Sequence, residues 1–139
     1  MEQSERFKKG RARLTEMGCS SSIGPCMKTM CPPLYQYIRE YAFGDVHSRP
    51  GLSKRDHELV IIAGLTALGF AKEELKSHIN MGLNAGLSRN EILEVFIQLS
   101  VYAGFPAAVN AVFAANEVFN ERDLSLIHIS EPTRQEAIS

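Results

Sequence analysis

The sequence predicts an all-α protein, and three observations carry that prediction. Apolar residues recur at helical spacing, and no window shows the sustained alternation of a half-buried strand. Ser and Pro stand where helices would begin and Gly where they would end. The segment "PAAVNAVFAANEVF" is rich in small residues that let helices approach closely. At 139 residues the chain can bury one core but not two of ordinary size. A single domain of about five to six helices is therefore expected.

A first amphipathic helix spans roughly Ser4 to Met17, and "GCSSSIGP" follows as a small-residue loop. Pro32 and Pro33 suit the first turn of a second helix, which runs through "LYQYIREYAF" to Gly44. Its aromatics Tyr35, Tyr41 and Phe43 are expected to face the core or a subunit contact. The loop "GDVHSRPGL" carries His47 and Arg49. Ser53 then caps the next helix, with Asp56 at the capping-box position where Glu or Gln is more usual. That helix, "KRDHELVIIAGLTALG", ends at Gly69, and "KEELKSHINMGLNAG" follows, closed by Gly86. Ser88 with Glu91 forms a capping box for a helix whose Ile92, Val95, Phe96 and Leu99 make one buried stripe. Gly104 ends it and Pro106 starts the last helix.

Residues 1–123 make up this domain, whereas "LSLIHISEPTRQEAIS", residues 124–139, departs from it. Helical periodicity stops there and Pro132 interrupts the run. Back-translated in one frame, "LSLIHISEPTR" resembles a transposon-end sequencing adapter, so this segment reads as a translated, non-native tail. The plain alternative is a disordered terminus.

Composition narrows the function classes. With 45% apolar and 22% charged residues and a net charge of -1, nothing points to a nucleic-acid partner. The stretch "LVIIAGLTALGFA" is too short to cross a bilayer, and the charged "MEQSERFKKGRARL" is no secretory signal, so a cytoplasmic protein without membrane attachment is expected. Cys19, Cys26 and Cys31 are odd in number and match no zinc spacing, which favours reduced thiols. His47, His57 and His78, ten and twenty-one residues apart, do not place two ligands on one helical turn, so no metal site is expected.

His78 stands one turn after Glu74 and is the candidate proton carrier, because imidazole has an ordinary pKa of about 6.5. Each candidate also has a plain structural reading. Glu74 and His78 can be a surface pair on one helix face. Glu58 can be a first-turn acid favoured by the helix dipole. Arg49, before Pro50, can be a salt bridge across a subunit contact, and His47 and His57 can be solvated.

Four blocks, "FGDVHSRPGLS", "HELVIIAGLTALG", "ELKSHINMGLNAGLSRNEILEV" and "QLSVYAGFPAAVNAVFAANEVF", resemble the carboxymuconolactone decarboxylase family in order and spacing. The resemblance spans about Arg6 to Phe119. It implies the helical fold shared with the alkyl hydroperoxidase D-like proteins, in a subunit that associates into homo-trimers or hexamers. The thiol branch of that family carries a Cys-x-x-Cys pair before the matching histidine, but here those positions fall on about Ala71 and Glu74. A dithiol peroxidase is therefore disfavoured, since its disulfide needs two thiols within bonding reach.

The other branch decarboxylates γ-carboxymuconolactone to the β-ketoadipate enol-lactone in aromatic-acid degradation, with no cofactor. By that resemblance His78 is the acid, with Glu74 or Glu58 orienting it. Arg49 anchors the carboxylate of a small-molecule substrate, His47 donates a second hydrogen bond, and Tyr102 stands on the pocket wall. The chain departs from the branch at His57-Glu58-Leu59, where "RSL" is expected, and at "YAGFP". Glu58 is more typical of the thiol branch, where it belongs to a proton relay. The remaining reading is an oligomeric scaffold without catalysis.

Overall fold

Ser4 accepts a hydrogen bond from the Phe7 amide and opens α1 (Glu5–Glu16), as the spacing predicts. The computed structural model describes residues 3–138, with side chains described through residue 127. Among these residues every regular element is helical: α1, α2 (Ile23–Met30), α3 (Pro32–Tyr37), a π-helical segment (Ile38–Val46), α4 (Lys54–Leu68), α5 (Lys72–Asn84), α6 (Arg89–Ala103) and α7 (Phe105–Ile138). None of them is long and apolar enough to cross a membrane.

The helix total exceeds the five to six expected because α2 occupies part of the stretch read as a loop. Its sequence signal is weak for a physical reason. It is only eight residues long, has Gly24 and Pro25 in its first turn and no side-chain cap, so the short stripe of Ile23, Met27 and Met30 is too brief to outweigh those loop signals. The second helix also differs from expectation. It starts at Pro32 as predicted but continues beyond Tyr37 as π turns, with the His47 amide donating to the Ala42 carbonyl at 2.8 Å. A π turn accommodates one extra residue, which carries every following side chain about 100° around the axis relative to an unbroken α-helix. Of its aromatics Phe43 is buried, Tyr35 is half-buried against Phe7 at 5.8 Å between ring centroids, and Tyr41 is exposed.

Two layers result. α1 lies on the π segment, and the close approach depends on Gly10 and Gly44. A Cβ at Gly10 would fall 1.8 Å from the Arg39 carbonyl oxygen, and one at Gly44 would fall 2.4 Å from that of Arg6. α4, α5, α6 and α7 pack around the main core, which includes Ile62, Leu75, Ile79, Ile92, Phe96 and Val118. A smaller cluster of Met17, Phe43 and Met81 joins α1, the π segment and α5. Each of α4 and α6 opens at its expected serine, and the Ser88–Glu91 box has both of its hydrogen bonds. α7 runs past the boundary drawn at residue 123 and past Pro132. Val118 is its last buried residue among those described, and Leu124, Leu126 and Ile127 stand exposed. The side chains of residues 128–139 lie outside the described ones.

Candidate functional site

Glu58 sits in the second turn of α4, on the side pressed against α5. Gly82 lies at this contact: a Cβ there would fall 2.9 Å from Leu87 Cδ1, 3.0 Å from Ile62 Cδ1 and 3.6 Å from the Glu58 Cβ. The Glu58 carboxylate is 0% exposed. From α5, His78 faces it, with Nδ1 2.8 Å from Oε1 and 3.0 Å from Oε2. From the end of the π segment, His47 brings Nε2 to 3.6 Å from Oε1, within ion-pair reach but beyond a hydrogen bond. Both His47 ring nitrogens are buried without a hydrogen-bond partner among the described residues.

The rings around this carboxylate are stacked. Phe43 lies 5.3 Å from His47 and 6.1 Å from His78 between centroids, and His47 lies 4.8 Å from His57. Arg13 donates to the His47 carbonyl at 2.8 Å and fixes the loop entry. Burial alone pushes the Glu58 carboxyl up, but the two facing imidazoles, His47 and His78, together outweigh it and hold the group below its ordinary range. An anion is thus retained inside the protein. It accepts from Nδ1 of His78 and so leaves Nε2 of that ring for a substrate.

A cavity of about 930 Å³ opens in front of this cluster, lined by His47, His57, His78 and Arg49 with apolar side chains from α1, α2, the π segment and α5. The candidates sort themselves by position. His78 and His47 line the cavity, and Glu58 stands behind them without reaching it. Arg49 lines it from the exposed loop, and its carbonyl accepts from His57 Nε2 at 3.2 Å. Glu74 is exposed on the lining and makes no bond to His78, whose Nδ1 is taken by Glu58. Tyr102 is 82% exposed at the end of α6 and is not part of the lining, so the pocket-wall position expected of it is not found in this subunit.

Sequence reasoning missed Arg39, a half-buried lining residue from the π segment. No local pattern marks it, because its significance lies in what surrounds it. Cys19 also lines the cavity, while Cys26 and Cys31 do not, and all three are free thiols. Among the described residues no three His, Cys, Asp or Glu side chains are grouped so as to hold a metal ion.

Comparison with known proteins agrees with this architecture. Residues 32–117 match the family model described as the carboxymuconolactone decarboxylase family. A 4-carboxymuconolactone decarboxylase of Acinetobacter baylyi is 33% identical over 124 residues, 87% of this chain and 92% of that protein. A nitrosuccinic acid decarboxylase of Metarhizium robertsii is 32% identical over 89 residues, 64% of this chain and 62% of its own. An uncharacterized 15.0 kDa protein of Paracoccus denitrificans is 31% identical over 98 residues, 70% of this chain and 73% of its own.

Proposed function

The chain belongs to the carboxymuconolactone decarboxylase family, and from that membership we propose that it decarboxylates a small carboxylated lactone or similar enolisable acid without a cofactor. The observation that carries the proposal is the ring of His78. One nitrogen is held by a fully buried carboxylate while the same ring lines a cavity that Arg49 also lines.

In this reading Arg49 holds a substrate carboxylate through its planar fork. The bond from carbon to the departing carboxylate breaks, carbon dioxide leaves, and the electron pair moves through the ring alkene onto the lactone carbonyl oxygen. Charge develops on that oxygen. His47, which lines the cavity and whose ring nitrogens have no hydrogen-bond partner among the described residues, is the donor proposed for it. His78, carrying a proton on each ring nitrogen, then delivers the one on Nε2 to carbon and recovers another from water, while Glu58 accepts from Nδ1 and opposes the positive charge of the imidazolium before the transfer. Glu58 touches no substrate and acts as a positioning residue. Two relatives support the reading in kind, a 4-carboxymuconolactone decarboxylase and a nitrosuccinic acid decarboxylase, because both substrates join a carboxyl group to an electron-accepting system.

The proposal extends to assembly as a homo-trimer or hexamer. The apolar side chains Ile97, Val101, Tyr102, Phe105 and Phe113 are exposed along α6 and α7, which supports that assignment and gives Tyr102 a place at a subunit contact. The expected test is carbon dioxide release from freshly generated 4-carboxymuconolactone, present in the parent chain and abolished in a His78→Ala variant of confirmed fold. A folded parent that releases none above buffer would discard this substrate, and turnover that survives in His78→Ala would discard the acid.

A further inference from the structure

We propose that Arg39 is a second anion anchor in the cavity and selects substrates that carry two carboxylates. The assignment rests on the reading of this cavity as the substrate site.

The guanidinium of Arg39 is positioned by its surroundings. Its Cζ lies 3.8 Å above the centroid of the Tyr35 ring, on a face that favours a flat cation. On the α2 side it is met by Gly24, where a Cβ would fall 2.9 Å from Nη2. The glycine leaves room for the fork. Most other arginines in this chain have acidic or carbonyl partners: Arg6 holds Asp45, Arg55 holds Glu91, Arg89 holds Asp123, and Arg13 holds the His47 carbonyl. Arg39 has none among the described residues, although its neighbour Glu40 is nearby in sequence; that carboxylate is engaged by Ser4 instead.

Among the described residues the cavity therefore presents two guanidinium forks without acidic partners, Arg39 and Arg49, against the single exposed carboxylate of Glu74. A half-buried, stacked guanidinium beside apolar walls is suited to bidentate contact with a carboxylate. One substrate carboxylate is lost in the reaction and needs a holder only until the bond breaks. A second, retained carboxylate held by a separate fork would keep the molecule aligned with His78 throughout.

The test is a binding experiment on the full chain that does not require turnover. Straight-chain dicarboxylates from succinate to adipate are titrated by calorimetry beside monocarboxylates of equal length. The parent is expected to bind at least one dicarboxylate about tenfold more tightly than its partner, the effect of one charge-assisted contact. Arg39→Gln is expected to bring that ratio to near unity, and Arg39→Lys to restore part of it. Gly24→Ala keeps the charge but pushes aside the flexible end of Arg39, and is expected to weaken the preference without loss of fold. A parent with no dicarboxylate preference, or a preference that survives in Arg39→Gln, would overturn the anchor. These outcomes are separate from carbon dioxide release: a failed decarboxylation with an Arg39-dependent preference would remove the reaction and keep the anchor.

Discussion

Replacing Glu58 by Gln keeps the size of the side chain and removes the charge that faces His78. The geometry assigns a magnitude. The carboxylate meets Nδ1 with both oxygens, at 2.8 and 3.0 Å, in a site that is 0% exposed, so solvent cannot substitute for it. A hydrogen bond to a charged partner contributes about 1.5–3 kcal/mol, and this one counts most when His78 is an imidazolium about to release its proton. At about 1.4 kcal/mol per decade, kcat should fall roughly 10- to 150-fold. KM should stay within about twofold, because Glu58 does not line the cavity and removes no substrate contact. The assay is the rate of carbon dioxide release against substrate concentration, with far-ultraviolet circular dichroism to confirm the fold. A raised KM with intact kcat would refute the positioning role, as would a kcat within twofold of the parent.

Glu74→Gln is expected to leave kcat and KM within about twofold, since that carboxylate is exposed and makes no bond to His78; a loss like that of Glu58→Gln would reinstate it. Stability should also depend on acid pH through Glu58. Its folded pKa lies below the ordinary 4.5, so its contribution is complete above that value and is lost as pH falls through the lower folded value. Urea unfolding curves of the parent and Glu58→Gln should therefore draw closer as pH is lowered from 4.5. Gly10→Ala should cost about 1–3 kcal/mol or more, because the new methyl meets a backbone oxygen that cannot swing away. Gly64→Ala, with open space around it, should stabilise by up to about 1 kcal/mol, and equal urea midpoints for the two variants would refute the packing account. Ending the chain at residue 123 removes the exposed Leu124, Leu126 and Ile127 and no buried side chain among those described, so the thermal midpoint is expected to shift by only a few degrees. A collapse of the midpoint would place residues 124–139 inside the domain.

The helical fold was legible wherever local chemistry and burial agreed. Ser53 and Ser88 cap the helices that they were expected to cap, Ser4 caps the helix expected to begin about there, and Gly69 and Gly86 adopt positive φ at the ends of α4 and α5. These signals work because a cap or a left-handed turn is decided by residues a few positions apart. α2 was read as loop because Gly24 and Pro25 are local loop signals and two turns of apolar spacing, Ile23, Met27 and Met30, are too few to override them.

The sequence offered Glu74 and Glu58 as alternative partners for His78, with His47 beside them, but it carries no offset between helices that would choose between the two acids. At about 1.5 Å of rise per residue, one turn of slippage between α4 and α5 would have separated Glu58 from His78 and left Glu74 as its nearest acid. The core around Ile62, Leu75 and Ile79 sets that offset. The π segment did the rest, since its extra residue carries His47 round to the Glu58 carboxylate, a position that α-helical counting does not predict. Sequence by itself determined which segments would be helices and which chemical groups they carry, because those properties are local. Tertiary structure alone decided that Glu58 excludes Glu74 from His78, that Tyr102 stands away from the cavity and that Arg39 enters it without a partner. Each of these depends on the packing of elements distant in sequence, where a shift of one residue changes which side chains meet.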